Sequence, residues 1–215
     1  MPPVRRVFAH TVAVAAILVA VGPAHARVVP APAEGRPPSP YIRAADPGDE
    51  PRTSSVPIPG SPLVRGRAVV NVRAPMARVR DVILDFIHYP EFMPHYETCR
   101  VLGTTKAGGR DVYMRIGAVR GVVKMWARIE VSKPTVEDGA ETYRSHFIDG
   151  NIKDLQALWS LKAIDDKTTQ LVVEVFMHPR LPLPSKLVND ENVEGARMAV
   201  MAFKARAEGK KIVQK

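Results

Sequence analysis

Tyr89-Pro90-Glu91-Phe92-Met93-Pro94 is the stretch on which the reading of this chain turns. Pro90 disfavours the helical region for Tyr89, and Pro94 does the same for Met93, so the segment reads as a helix stop followed by a strained turn. A turn that carries Phe92 and Met93 must bury them against a core or set them at the entrance to one.

Upstream, Val64 to Ala74 alternates around Val70 and Val72 and predicts a first strand. Pro75 suits the first turn of a helix. Met76, Val79, Val82, Ile83 and Phe86 then recur at helical spacing, leaving Arg78, Asp81 and Asp85 for the outer face. Downstream the period changes to two. Thr98 to Thr105 predicts a strand closed by Gly108-Gly109. Val112, Met114 and Ile116 share a face, and Val123, Met125, Ala127, Ile129 and Val131 alternate against Lys124, Trp126, Arg128 and Glu130. Pro134 to Gly139 predicts a turn into Glu141 to Ile148, where the periodicity leaves two inward sets open: Tyr143, Ser145 and Phe147, or Arg144, His146 and Ile148. After a turn at Asp149-Gly150-Asn151, Leu155, Ala157, Trp159 and Leu161 form one face. Beyond Asp165-Asp166-Lys167, Leu171, Val173, Val175 and Met177 form another. Three prolines between Pro179 and Pro184 end the sheet. From Ser185 a helical stripe runs through Leu187, Val188, Ala196, Ala199, Val200, Phe203 and Ala207. The order predicts an α+β fold: a curved antiparallel sheet of about six or seven strands wrapped round a long C-terminal helix, with a short helical segment after the first strand.

The ends carry other signals. Arg5 and Arg6 precede an apolar run from Val12 to Val21, and Ala24-His25-Ala26 is a small-x-small site, so 1–26 reads as a secretory signal cleaved after Ala26. The apolar run is shorter than the roughly 20 residues a membrane-spanning helix needs, which weighs against a retained anchor. The Arg5-Arg6 pair leaves the general secretory and twin-arginine routes both open. Residues 27–62 hold ten prolines and no periodicity, predicting a disordered spacer. An export signal places the mature chain in the periplasm or outside the cell. Cys99 is the sole cysteine, so no intrachain disulfide forms, and it reads as a small buried hydrophobe.

The formal net charge is +9, and it stays positive once Arg5 and Arg6 are removed. Cations are scattered along strands among acids, which argues against a nucleic-acid stripe. Lys204, Arg206, Lys210 and Lys211 cluster at the predicted helix end and read as solvated cations complementing the helix dipole.

In order and content the elements resemble the SRPBCC or START-like superfamily, with its helix-grip fold, and within it the coenzyme-Q-binding START and polyketide cyclase/dehydrase group. The resemblance rests on Asp85-Phe86 followed by Tyr89 to Pro94, on Phe147 to Leu155 leading to Trp159, and on Leu181-Pro182-Leu183-Pro184. It covers 63–208, leaves 209–215 as a basic tail, and departs from the family pattern at Gly150-Asn151-Ile152. It implies an apolar cavity between sheet and long helix that holds a lipid, quinone or polyketide. The lining implied is Met114, Met125, Phe147, Trp159, Val175, Val200 and Phe203, with Phe92 and Met93 at the mouth as gate or plug. A methionine or aromatic residue at such a position reads more readily as plain core than as a ligand contact.

Chemistry has thin support. His88, His95, His146 and His178 form no metal-ligand spacing, and there is neither a nucleophile elbow nor a phosphate-binding loop, so no metal or cofactor is expected. Three functions follow as expectations. The first is an exported, non-catalytic carrier of a hydrophobic ligand. The second is a polyketide cyclase or dehydratase, which needs Arg144 or His146 inside the cavity. The third is an envelope-surface module that uses its basic helix end on an anionic membrane.

Overall fold

A computed structural model describes residues 50–118 and 123–210. The expected signal 1–26 and most of the expected spacer lie outside them.

Nine strands and one long helix organise the described residues. The strands are β1 (Arg52–Pro57), β2 (Val64–Val72), β3 (Tyr96–Thr104), β4 (Arg110–Ala118), β5 (Val123–Val131), β6 (Thr135–Glu137), β7 (Ala140–Gly150), β8 (Asp154–Asp165) and β9 (Thr168–His178). They form one antiparallel sheet in the order β1-β2-β9-β8-β7-β5-β4-β3, with β6 paired to β7 off that path. The sheet does not close into a barrel. It curves over α3 (Ser185–Ala207), while α1 (Met76–Leu84), a 3₁₀ turn (Phe86–His88) and α2 (Tyr89–Phe92) fill the connection between β2 and β3.

Two differences from expectation concern strands. Arg52–Pro57, inside the expected spacer, pairs with Val64–Val69 as an edge strand. No proline interrupts Arg52 to Val56, and the segment's polar, exposed side chains suit a solvated edge, so composition concealed it. The expected 134–139 turn contains β6, which returns through Asp138 (φ 50°) and Gly139 (φ 74°). Two successive left-handed residues make the tight hairpin turn whose twist matches the strands.

A third difference concerns the opening hexapeptide. Tyr89 is helical (φ −52°, ψ −40°) and begins α2 instead of stopping a helix. Pro90 falls in the first turn of α2, where a missing N–H leaves no hydrogen bond unmade. Tyr89 is locked by burial: its ring lies 5.2 Å from Phe86, 5.5 Å from Phe92 and Tyr96, and 5.7 Å from Phe203, and its hydroxyl donates to the Ile83 carbonyl at 2.6 Å. Met93 is extended (ψ 124°), as Pro94 demands.

β7 resolves the open choice of faces. Tyr143 and Ser145 are buried and Phe147 half-buried, while Arg144, His146 and Ile148 are exposed. Asn151 then extends the β5–β7 ladder with its side chain, accepting from Trp126 N–H at 2.8 Å and donating to the Lys124 carbonyl at 2.9 Å. The point of departure from the family pattern is therefore a structural clasp.

The long helix is fixed to the sheet at one point above all. An added Cβ on Gly66 would lie 1.9 Å from the Asn192 carbonyl oxygen, so β2 and α3 meet backbone to backbone there. Asn189 and Asn192 finish the junction. Asn189 Oδ1 accepts from Val64 N–H at 2.9 Å, and Asn192 bridges Met177 N–H (2.9 Å) and the Val64 carbonyl (3.0 Å). Asn192 thus continues the β2–β9 ladder past Gly66–Val175.

Candidate functional site

Three residues along α3 from Asn192, the helix faces open space. An added Cβ on Gly195 would meet only Val175 Cγ1, at 4.0 Å. Gly195, Ala199 and Ala157 are too small to fill the gap between helix and sheet, and a cavity of about 520 Å³ remains. That size is ordinary for a small-molecule site.

The walls follow from strand periodicity. β4 and β5 contribute Met114, Ile116, Met125 and Ile129; β8 and β9 contribute Leu155, Trp159, Val173, Val175 and Met177; α3 contributes Val188, Met198 and Phe203. Leu181 and Leu187 line the cavity yet stay exposed, which makes them its rim, together with Pro94 and His95. His95 has φ 66°, unusual outside glycine, and its carbonyl accepts from Gly117 N–H at 2.8 Å.

Of the residues singled out from sequence, Met93, Met114, Met125, Trp159, Val175 and Phe203 line this cavity. Phe92, Phe147 and Val200 do not. Phe92 is 1% exposed, edge-on to Tyr89 and Phe203, with the Arg206 guanidinium 5.4 Å from its ring centroid. Because α2 is helical, Phe92 points into the aromatic cluster rather than into a mouth. Val200 is fully enclosed in the core, and Phe147 packs half-buried against it. Sequence reasoning missed Tyr96, Ser145, Met198 and the rim leucines as cavity residues. Tyr96 escaped because the strand was started two residues late, whereas Leu155 and Met177 already lay on the faces predicted to be apolar.

The lining includes buried polar groups. Tyr89 spends its hydroxyl on Ile83, and Ser145 Oγ accepts from Ala157 N–H at 2.7 Å. Burial raises the Tyr96 phenol well above its ordinary range, so it is a neutral donor at physiological pH. Cys99 is buried, and that burial pushes its thiol up to about 12, leaving it protonated and unreactive.

Arg144 and His146 lie on the outer face of β7, away from the cavity, so a cyclase mechanism through either has no geometric basis. Among the described residues no three side chains of metal-binding type cluster.

The basic helix end is solvated only in part: Arg206 and Lys210 reach solvent, and Lys204 does not. Lys204 is 3% exposed, because it continues the buried stripe of Val200 and Phe203. Its Nζ donates to the Asn71 carbonyl at 2.7 Å and to Glu208 at 2.8 Å. Arg206 pairs with Glu91 at 3.1 Å, and Lys210 with Glu208 at 2.8 Å. Lys211 lies outside the described residues. Three of the four cations meet carboxylates, Lys204 and Lys210 sharing Glu208, and nothing in this geometry supports an envelope-surface module.

Comparison with known proteins agrees with this architecture. A family model described as polyketide cyclase / dehydrase and lipid transport matches residues 72–204. No curated protein matches the chain. Among solved structures, a START superfamily protein from Mycobacterium smegmatis is 19% identical with a TM-score of 0.59, covering 67% of this chain and 97% of that one. The STAR-related lipid transfer protein of Xanthomonas axonopodis is 20% identical with a TM-score of 0.64, covering 77% and 97%. The Zhui aromatase/cyclase of a Streptomyces species is 18% identical with a TM-score of 0.51, covering 67% and 93%. At these identities the likeness is one of fold.

Proposed function

The chain belongs to the polyketide cyclase / dehydrase and lipid transport family, and from that premise we propose that it is an exported, non-catalytic binding protein for a hydrophobic small molecule or lipid. The observation that carries the reading is the apolar cavity of about 520 Å³ between the sheet and α3. Its thioethers, Met93, Met114, Met125, Met177 and Met198, suit it to apolar ligands of varied shape. Binding would draw on burial at roughly 25 cal/mol per Å² of apolar surface. The N-terminal pattern of 1–26 supports export, and the solvent-facing Arg144 and His146 favour holding over turnover.

Filling the void tests this. Gly195→Leu places a side chain where the added Cβ meets nothing closer than 4.0 Å and gains helix propensity, so the variant should melt no lower than the parent. It should also take up an apolar fluorescent probe at least about tenfold more weakly, the factor that 1.4 kcal/mol of lost burial represents. Undiminished uptake by a well-folded Gly195→Leu protein would place binding elsewhere.

A further inference from the structure

The cavity lining holds hydrogen-bond donors that the protein leaves unused, and among the described residues it holds no lysine or arginine. Two buried tyrosines and one half-buried tyrosine, Tyr96, make the first point by contrast. Tyr89 donates to the Ile83 carbonyl, and Tyr143 donates to Glu141. Tyr96 lines the cavity, and among the described residues its hydroxyl has no acceptor. Ser145, 3% exposed in the same lining, uses its oxygen to accept from Ala157 N–H, and its own O–H proton likewise has no acceptor there. Buried polar groups in folded proteins nearly all find partners, so an idle donor facing a cavity calls for one.

Charge narrows the partner. Among the described residues, and apart from His95 and the neutral tyrosines, the ionisable groups that bound the cavity are the carboxylates Glu191 and Glu194, and Glu194 is held by Arg197 at 2.7 Å. An anionic headgroup drawn inside would lose its hydration, find no countercharge among the described lining residues and approach the Glu191 carboxylate. A neutral oxygen would lose little and gain the phenol. Resting on the carrier reading, we infer that the ligand is an uncharged amphiphile whose enclosed end presents a carbonyl or ether oxygen to the Tyr96 hydroxyl, and that the site selects against carboxylates and phosphates.

Matched probes of equal chain length test the inference: undecane, 2-undecanone and undecanoate, titrated into the delipidated full chain and into Tyr96→Phe, with Trp159 fluorescence and calorimetry as readouts. The ratio of 2-undecanone to undecane affinity should fall roughly tenfold from the parent to Tyr96→Phe, the loss of one net hydrogen bond. Undecanoate should bind the parent at least about tenfold more weakly than the ketone, since its charge would be buried unpaired. If Tyr96→Phe fails to fold, the carbonyl stretch of 2-undecanone bound to the parent decides. A shift to lower wavenumber than in hexane is expected, and an unshifted band overturns the assignment. An unchanged affinity ratio, or undecanoate binding as tightly as the ketone, overturns the inference and leaves the carrier reading standing. Failure of all three probes to bind removes the carrier reading, and this one with it.

Discussion

Asn192 closes a gap in the sheet that no strand residue reaches. Its amide serves the Met177 N–H and the Val64 carbonyl together, at 2.9 Å and 3.0 Å, and it is 2% exposed. Asn192→Ala leaves both backbone groups enclosed without partners, and the expected cost is about 2–3 kcal/mol in a urea melt. A loss below roughly 0.5 kcal/mol, the size of an ordinary surface substitution, would show that the bridge is not formed. The spacing of the apolar stripe assigned Val188, Ala196 and Val200 to the core but gave no reason to place an asparagine among them. Lys204 misled in the same way. A charged residue in a helical stripe reads as exposed until a carbonyl and a carboxylate stand at its head. Phe92 shows the opposite limit: its burial was readable from its neighbours, whereas its direction depended on Tyr89 being helical, which Pro90 argued against.

At the scale of elements, α3 is set by two glycines with opposite roles. At Gly66 any side chain meets the Asn192 and Val193 backbone within 2.5 Å, so Gly66→Ala forces β2 and α3 apart. The expected destabilisation is about 3 kcal/mol, at the upper end for overpacking. Gly195→Ala meets only Val175 Cγ1 and should stabilise the helix by about 0.5–1 kcal/mol. Thermal denaturation of the two variants side by side checks both signs, and the order reversed would contradict the placement of the helix. Most elements were legible. β5 alternates without a fault, and α3 begins at Ser185, where the periodicity places it. The edge strand β1 was not, since pairing at a solvated edge needs no apolar pattern. Nor was the choice of face on β7, where both alternating sets contain large and polar residues and only packing against β5 and β8 decides.

For the whole molecule, the last turn of α3 ties the end of that helix to the sheet. Burial works against ionisation of Glu208, but hydrogen bonds from Lys204, Lys210 and the Arg73 N–H override it and lower the carboxyl to about 2. A carboxylate depressed in the folded state contributes stability above its unfolded value, and that contribution is lost as pH falls through the folded one. The urea midpoint should therefore fall between pH 4.5 and about 2, and Glu208→Gln should fall less steeply over that window while being less stable at neutral pH. Parallel pH profiles would show that the lock does not titrate. With the helix fixed at Gly66 and at its C-terminal end, the void at Gly195 cannot close by collapse. The void itself was not legible, because Met114, Trp159 and Val175 read as core more readily than as lining until the distance between helix and sheet was known.

Native mass spectrometry of the chain purified from its native source tests the central claim most directly. A single non-covalent adduct of an uncharged hydrophobic molecule, absent from Gly195→Leu protein prepared in the same way, is the result expected. Bare protein alone from the parent chain, or an adduct retained undiminished when the cavity is filled, would contradict it.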